Sequence, residues 1–449
     1  MASTYLTRAL GTPTNRNKWT FSGWVKRGTM GANQAIFQGF SSGTHYTTIQ
    51  LTASDTLEFG NREGSHVGRK ITTRVFRDPA AWMHICCVFD SDNATADDRM
   101  KIYINGVRET EFGTSTNPSS GENSALADGY NSRVGVHNTD GYFWTGLMTH
   151  LNFVDGSALA PTVFGETDST SGIWKIKTSP SVTYGDNGFF LKMETTSGSG
   201  MGTDSSGEGN NLTTSGSPTQ ALDNPSNNFC TINSIDNYWT DFAIANGNTK
   251  CTTHISYENF INSTYWLGAG RWYWEVLVDT VGNGADVGFE DRSAQATSDY
   301  LGKASGCAWR WDGNLRVNNS YATGTFATFT TGDYLGFYLD LEDNKIYIAK
   351  NGTILNSGTG VAITPPASVE SGSGLYSPGF GDEGNQSSYS ANFGNGTFAS
   401  TKLTGTTYED ANTYGMFKYS PNDGGAASFD SSAKNFYAIC TKNIKAYGG

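Results

Sequence analysis

The stretch RWYWEVLVD, residues 271–279, places Trp272, Trp274, Val276 and Val278 on one side of an extended chain and Tyr273, Glu275, Leu277 and Asp279 on the other. YLGFYLDL does the same: Leu335, Phe337, Leu339 and Leu341 fall on one face, and Tyr334, Tyr338 and Asp340 on the opposite one. In HICCVFD, Ile85, Cys87 and Phe89 align. Period two with one wholly apolar face specifies strands of a two-sheet sandwich. A short motif recurs with this pattern. KIYING (101–106) and KIYIAKNG (345–352) begin roughly 240 residues apart, each preceded by an apolar strand and an acidic gap. Both copies turn their isoleucines to the apolar side and end on Asn-Gly, the pair that most readily takes the positive φ of a tight hairpin. Two equivalent hairpins in two sandwiches account for the repeat without a duplicated site.

Composition agrees with an all-β chain. Aromatic residues make up 13% of 449, and 55 glycines supply turns. The reading is two antiparallel β-sandwiches in tandem: residues 1–165, a Gly/Ser/Asp-rich connector over 166–228, a second sandwich over 229–395, and a C-terminal extension over 396–449. The net charge of −12 comes with scattered Lys and Arg in no basic run, which argues against phosphate-led nucleic-acid binding. There is no membrane-spanning apolar run, and MASTYLTRALGTPTNRNKWTF lacks the apolar core of a secretion signal. The six cysteines form no CxxC and are expected to be reduced and buried.

The first region resembles laminin-G-like, concanavalin-A-like domains through WTFSGWVKR, AAWMHICCVFD, KIYINGVRE and YFWTGLMTHLNFVDG. The second resembles SPRY domains through GRWYWEVLVD, DVGFED, GDYLGFYLDLEDNKIYIAKNG, LYSPGFG and ANFG. The whole chain is similar to tail-fibre-like virion proteins of marine bacteriophages. MASTYLTR, RVFRDPAAWMH, VDGSALAPTVFGETDSTSGIWKIK, YGDNGFFLKM, GTDSSGEGNNLT and NPSNNFCTIN carry that likeness. The resemblance implies a protein of the virion surface, non-catalytic, that meets other virion proteins and a host-surface glycan or protein. A homo-oligomer, for example a trimer, is the expected state. Two alternatives stay open: a capsid-bound head fibre or decoration protein serving assembly, and a tail-associated glycan hydrolase.

Chemistry is sparse. Glycosidases need two carboxyl groups at fixed separation, and no ExDxxE pattern occurs. Glu275 and Asp279, about 13 Å apart along a strand, read as solvent-facing charges. GNGADVG (282–288) is a hairpin turn, since no helix follows it. No cofactor is required. Calcium has two candidate loops. DSDNATADD offers Asp90, Asp92, Asp97 and Asp98, and DSSGEGNN offers Asp204, Glu208 and Asn210. For a glycan, whose ring faces stack on aromatic side chains, the candidates are Tyr142, Trp144 and Trp311, while Trp309 reads as core. STNPSSGENSALADGYNS (115–132) and PPASVESGSG (365–374) are the expected recognition loops.

Overall fold

A computed structural model describes residues 4–137, 141–194, 198–236, 242–256, 258–291, 300–303, 305–365, 375–422 and 429–447. It is all-β apart from short 3₁₀ turns and one helix, Thr441–Tyr447. The chain divides into two compact units, Met1–Gln220 and Ala221–Gly449.

In the first unit an eight-stranded sheet runs Phe112–Thr116, Ser65–Val75, Thr56–Glu63, His45–Leu51, Gln34–Ser42, Asn131–Val134, Tyr5–Ala9, Thr213–Ser215. It faces a six-stranded sheet of Phe189–Leu191, Leu147–Asp155, Lys18–Lys26, Met83–Asp90, Met100–Ile104 and Val107–Arg108. The core between them holds Trp19, Phe21, Phe37, Phe59 and Phe89, all within 1% of complete burial. The second unit repeats the plan. A nine-stranded sheet is built around Arg271–Thr280, Tyr334–Asp340 and Lys345–Lys350, and a six-stranded sheet around Tyr376–Glu383 and Ala285–Asp291. Trp272, Trp274, Val276 and Val278 are completely buried in its core, as their alternation requires.

The two KIYI strands occupy the same place. Met100–Ile104 pairs with Met83–Asp90 on one side and the edge strand Val107–Arg108 on the other. Lys345–Lys350 pairs with Tyr334–Asp340 and the edge strand Thr353–Ile354. Both turns use positive φ, 48° and 79° at Asn105-Gly106 and 50° and 82° at Asn351-Gly352. Each asparagine also caps the strand before its own. His84 N–H donates to Asn105 Oδ1 at 2.8 Å, and Tyr334 N–H to Asn351 Oδ1 at 2.8 Å. Each glycine lies under an aromatic ring, Trp174 over Gly106 and Tyr419 over Gly352, where a Cβ would come within 2.5 Å. The repeat is therefore a folding device. Replacing Asn105 or Asn351 by Ala is expected to cost its own unit about 1–2 kcal/mol, from one missing hydrogen bond and a strained left-handed residue. The Gly replacements should recover the backbone part, which thermal unfolding of the four variants measures.

The segments read as a connector and a C-terminal extension add strands and core residues to the two units. Within 166–228, Phe189–Leu191 extends the six-stranded sheet and Thr213–Ser215 the eight-stranded one. Trp174 covers the outer face, donating Nε1–H to His84 Nδ1 at 3.1 Å. That bond leaves the imidazole Nε2–H to meet Ser22 Oγ at 2.8 Å, and burial pushes the His84 pKa down to about 3. Within 396–447, Phe417, Phe429 and Phe436 pack on Tyr273, Tyr338 and Tyr347. Tyr437–Ala438 pairs in parallel with Trp272–Tyr273. The expectation that Glu275 faces solvent is thus corrected. It is completely buried, because this segment lies over a sheet face that alternation alone marks as exposed. Asp279 stays near the surface, paired with Lys250 at 3.1 Å. No disulfide joins the six cysteines, all of which are buried.

Candidate functional site

The outer face of the eight-stranded sheet is set by register. Along His45–Leu51, Thr47, Ile49 and Leu51 turn inward, so Tyr46, Thr48 and Gln50 turn outward. Neighbouring strands bring Arg62 opposite Tyr46, Gly60 opposite Thr48 and Glu58 opposite Gln50. Arg69 follows opposite Gly60, and Ile71 opposite Glu58. Gly60 contributes no side chain, which opens a trough. Residues 135–137 and 141–144 close one side, with Ala35 N–H donating to Tyr142 O at 3.0 Å and Trp144 N–H to Gly135 O at 2.9 Å. The result is a cleft of about 400 Å³ lined by Tyr46, Gln50, Glu58, Arg69, His137 and Tyr142, with Asn33 and the 52–54 turn at its end.

One wall is aromatic. The His137 ring is 5.2 Å from Tyr46, edge-on, and 5.5 Å from Tyr142. The floor is polar and rigid. Glu58 accepts from Gln50 Nε2 at 3.1 Å on one oxygen and from Arg69 Nε at 2.7 Å on the other. Gln50 Oε1 and Thr48 Oγ1 are left buried without a partner. A buried polar atom that the protein does not satisfy costs free energy, so a trough offering Gln50 Oε1 beside these rings suits a ligand rich in hydroxyl groups. Glu58 is the one carboxylate among the described lining residues, and it is already ion-paired. The cleft therefore lacks the acid and nucleophile or base that glycoside hydrolysis needs.

The sequence candidates fall in different places. Tyr142 lines the cleft. Trp144, two residues on, packs against the core of the first unit. Trp311 is half-buried against the core of the second unit, its backbone N–H donating to Ala285 O at 3.0 Å, and Trp309 is fully buried. Tyr46, Gln50, Glu58 and Arg69 escaped the sequence reading, although the polar, aromatic outer positions of HYTTIQL carried the signal. Leu126 of the 115–132 loop enters the core, and Ala125 N–H donates to Thr47 Oγ1 and Asn61 Oδ1, so the loop is pinned at its middle. Of the other expected recognition loop, 365–374, all but Pro365 lies outside the described residues.

The first calcium loop is braced by other partners. Lys18 lies 3.8 Å from Asp90 and 3.7 Å from Asp92, Asn117 Nδ2 donates to Asp97 at 2.6 Å, and Arg108 pairs with Asp98 at 2.7 Å. In the second loop Asp204 accepts the N–H groups of Phe190, Ser206 and Asn210, each at 2.8 Å. Among the described residues no group of three or more His, Cys, Asp or Glu is arranged to hold a metal, and no helix is long and apolar enough to cross a membrane.

Residues 2–163 match the family model of the concanavalin A-like lectin/glucanases superfamily, and residues 271–395 match the SPRY domain. No curated protein matches the chain. Among solved structures, the SPRY domain of human HERC1 is 19% identical, over 33% of this chain and 91% of that one, at a TM-score of 0.28. A heptameric SAP-like pentraxin from Limulus polyphemus is 21% identical, over 35% of this chain and 71% of that one, at 0.27. Domains LG4-5 of mouse laminin alpha1 are 10% identical, over 90% of this chain and 82% of that one, at 0.28. Both matched domain types are characteristically non-catalytic binding modules, and the chain joins them in tandem, a laminin-G-like domain followed by a SPRY domain.

Proposed function

We propose that the chain is a non-catalytic adhesion protein whose first sandwich holds a glycan in the cleft between Tyr46 and Tyr142. The observation that carries this reading is the buried, unpartnered acceptor Gln50 Oε1 at the foot of an aromatic wall. A pyranose face stacks on the tyrosines while one of its hydroxyls donates to Gln50 Oε1, and the Gln50–Glu58–Arg69 chain of bonds keeps the floor from rearranging. The sequence resemblance supports adhesion from a bacteriophage particle, where repeated copies raise the effective concentration of individually weak sites. The reading needs no calcium at the cleft.

Tyr142→Ala is expected to weaken glycan binding at least tenfold, with little change in melting temperature, because Tyr142 is a half-buried loop residue. A glycan array with the full chain and the variant reads this directly. Equal binding by the two proteins overturns the cleft assignment. Virions lacking the protein that adsorb to host cells at an unchanged rate overturn the adhesive role.

A further inference from the structure

The same outer face carries two guanidinium groups that the protein leaves free. Arg62 stacks over Tyr46, 5.8 Å from its ring centre. Arg133 stacks over Tyr5 at 5.5 Å and Phe40 at 6.0 Å. The Nε atoms of both are buried without a hydrogen-bond partner. Among the described residues neither has a carboxylate partner, whereas Arg16, Arg27, Arg69, Arg74, Arg77 and Arg108 of the same unit each do. In a chain of net charge −12, this one face carries two arginines without a carboxylate partner among the described residues.

Their placement is defined by the register. Arg62 lies opposite Tyr46, and Tyr46 opposite Phe40. One step along the strands, Thr48 lies opposite Gln38, and Gln38 opposite Arg133. The two guanidiniums are thus three strand spacings apart, about 14 Å across the sheet, with the Tyr46 wall of the cleft between them. His66, opposite Arg62, senses the same cations. Its imidazole is held below the ordinary range first by burial and then by Arg69 and Arg62, against the pull of Glu58. Stacking on a ring fixes a guanidinium in plane while leaving its N–H edge open, the geometry that receives a planar or tetrahedral oxyanion.

From this we infer that the glycan is anionic, a polysaccharide bearing carboxylate, sulfate or phosphate groups that Arg62 and Arg133 receive on either side of the sugar seated at Tyr46. The inference rests on the glycan reading of the cleft and narrows it. Removing both charge-assisted hydrogen-bonding groups together should weaken binding on the order of a hundredfold.

The test uses the purified full chain in titration calorimetry against polygalacturonate, heparin and neutral dextran, with a single-stranded oligonucleotide as a polyanion of another class. The expected result is binding to polygalacturonate or heparin that falls steeply from 50 to 500 mM NaCl, no binding to dextran, and loss of most affinity in the Arg62→Gln/Arg133→Gln double variant. The Arg62→Lys/Arg133→Lys protein should keep part of it. Which polysaccharide binds separates carboxylate from sulfate. The salt series on the unaltered protein stands whether or not the double variant folds. Binding to dextran that Tyr142→Ala removes would overturn the anionic inference and leave the cleft reading intact. Oligonucleotide binding as tight as polysaccharide binding would overturn it too, as unspecific polyanion attraction. No binding to any probe would count against both.

Discussion

Replacing Glu275 by Ala is expected to destabilise the second unit by about 3–5 kcal/mol and to release the segment after residue 396. Glu275 is completely buried, and four donors converge on its carboxylate. Lys418 N–H and Asn392 Nδ2–H meet Oε2 at 2.9 and 3.1 Å, and Tyr419 N–H and Tyr273 O–H meet Oε1 at 2.7 and 3.0 Å. Two of the four come from the covering segment, so this one side chain ties it to the sheet. Without the carboxylate these donors stay buried and unsatisfied. Trypsin should then cut after Lys418 and Lys434, sites protected in the intact protein, where Lys434 is itself buried in ion pairs with Asp340 at 2.7 Å and Asp343 at 2.6 Å. A variant that resists trypsin and melts within a degree or two of the parent would show that the segment is held elsewhere.

The same residue gives this unit an unusual pH dependence. Burial raises the Glu275 carboxyl from 4.5 to about 7 despite its four donors, and burial likewise raises Glu290 to about 7. A carboxyl whose folded pKa lies above its unfolded value contributes stability that is fully present below the unfolded value, near 4.5, and is lost as pH rises through 7. Each group accounts for about 3 kcal/mol between those limits. Stability of the second unit should therefore fall from pH 5 to pH 8, and Glu275→Gln should flatten that slope. Calorimetric unfolding across the range is the check.

The second large effect belongs to Asp55. Asp55→Asn, nearly isosteric, should cost the first unit about 3–5 kcal/mol, because it removes the counter-charge of a buried guanidinium. Arg27 is 3% exposed and donates Nη1–H to Asp55 Oδ1 at 2.9 Å. Arg77 Nε–H meets Oδ2 at 2.7 Å and Gly31 N–H meets Oδ1 at 2.8 Å. Burial pushes the Asp55 carboxyl up, but the bonds from Gly31, Arg77 and Arg27 together outweigh it and hold the pKa below 3.8. Burial also lowers the pKa of the Arg27 guanidinium, which stays charged. The sign is opposite to that of Glu275: this contribution is present above pH 4 and lost as the carboxyl protonates in acid. The parent's first unit should thus lose stability below pH 4, and the Asn variant should be weakened at neutral pH and lose less on acidification.

Alternation read the cores well. The inward positions of RWYWEVLVD and HICCVFD lie where period two puts them, since each strand has one face that must meet the opposing sheet. Alternation could not say what covers the other face. Tyr347 points away from the core, as the KIYI pattern implies, yet is buried under Phe429 and Phe436. Nothing local to Tyr347 encodes that, because the covering residues lie some 80 positions on. The Gly/Ser-rich look of 166–228 hid short strands for a similar reason: three residues such as Phe189–Leu191 suffice when a sheet edge is waiting. Tyr142 was legible as an aromatic beside turn glycines. Glu58 and Arg69 were not, since a site on a sheet face is assembled by register between strands, and register is a property of pairs.

Hydrogen–deuterium exchange of the full chain, with and without a saturating acidic polysaccharide, tests the cleft most directly. Protection is predicted in the amides of 46–58 and 133–144, with residues 229–447 unchanged. Protection confined to 229–447, or none at a concentration that saturates binding, would contradict recognition at the Tyr46–Tyr142 cleft.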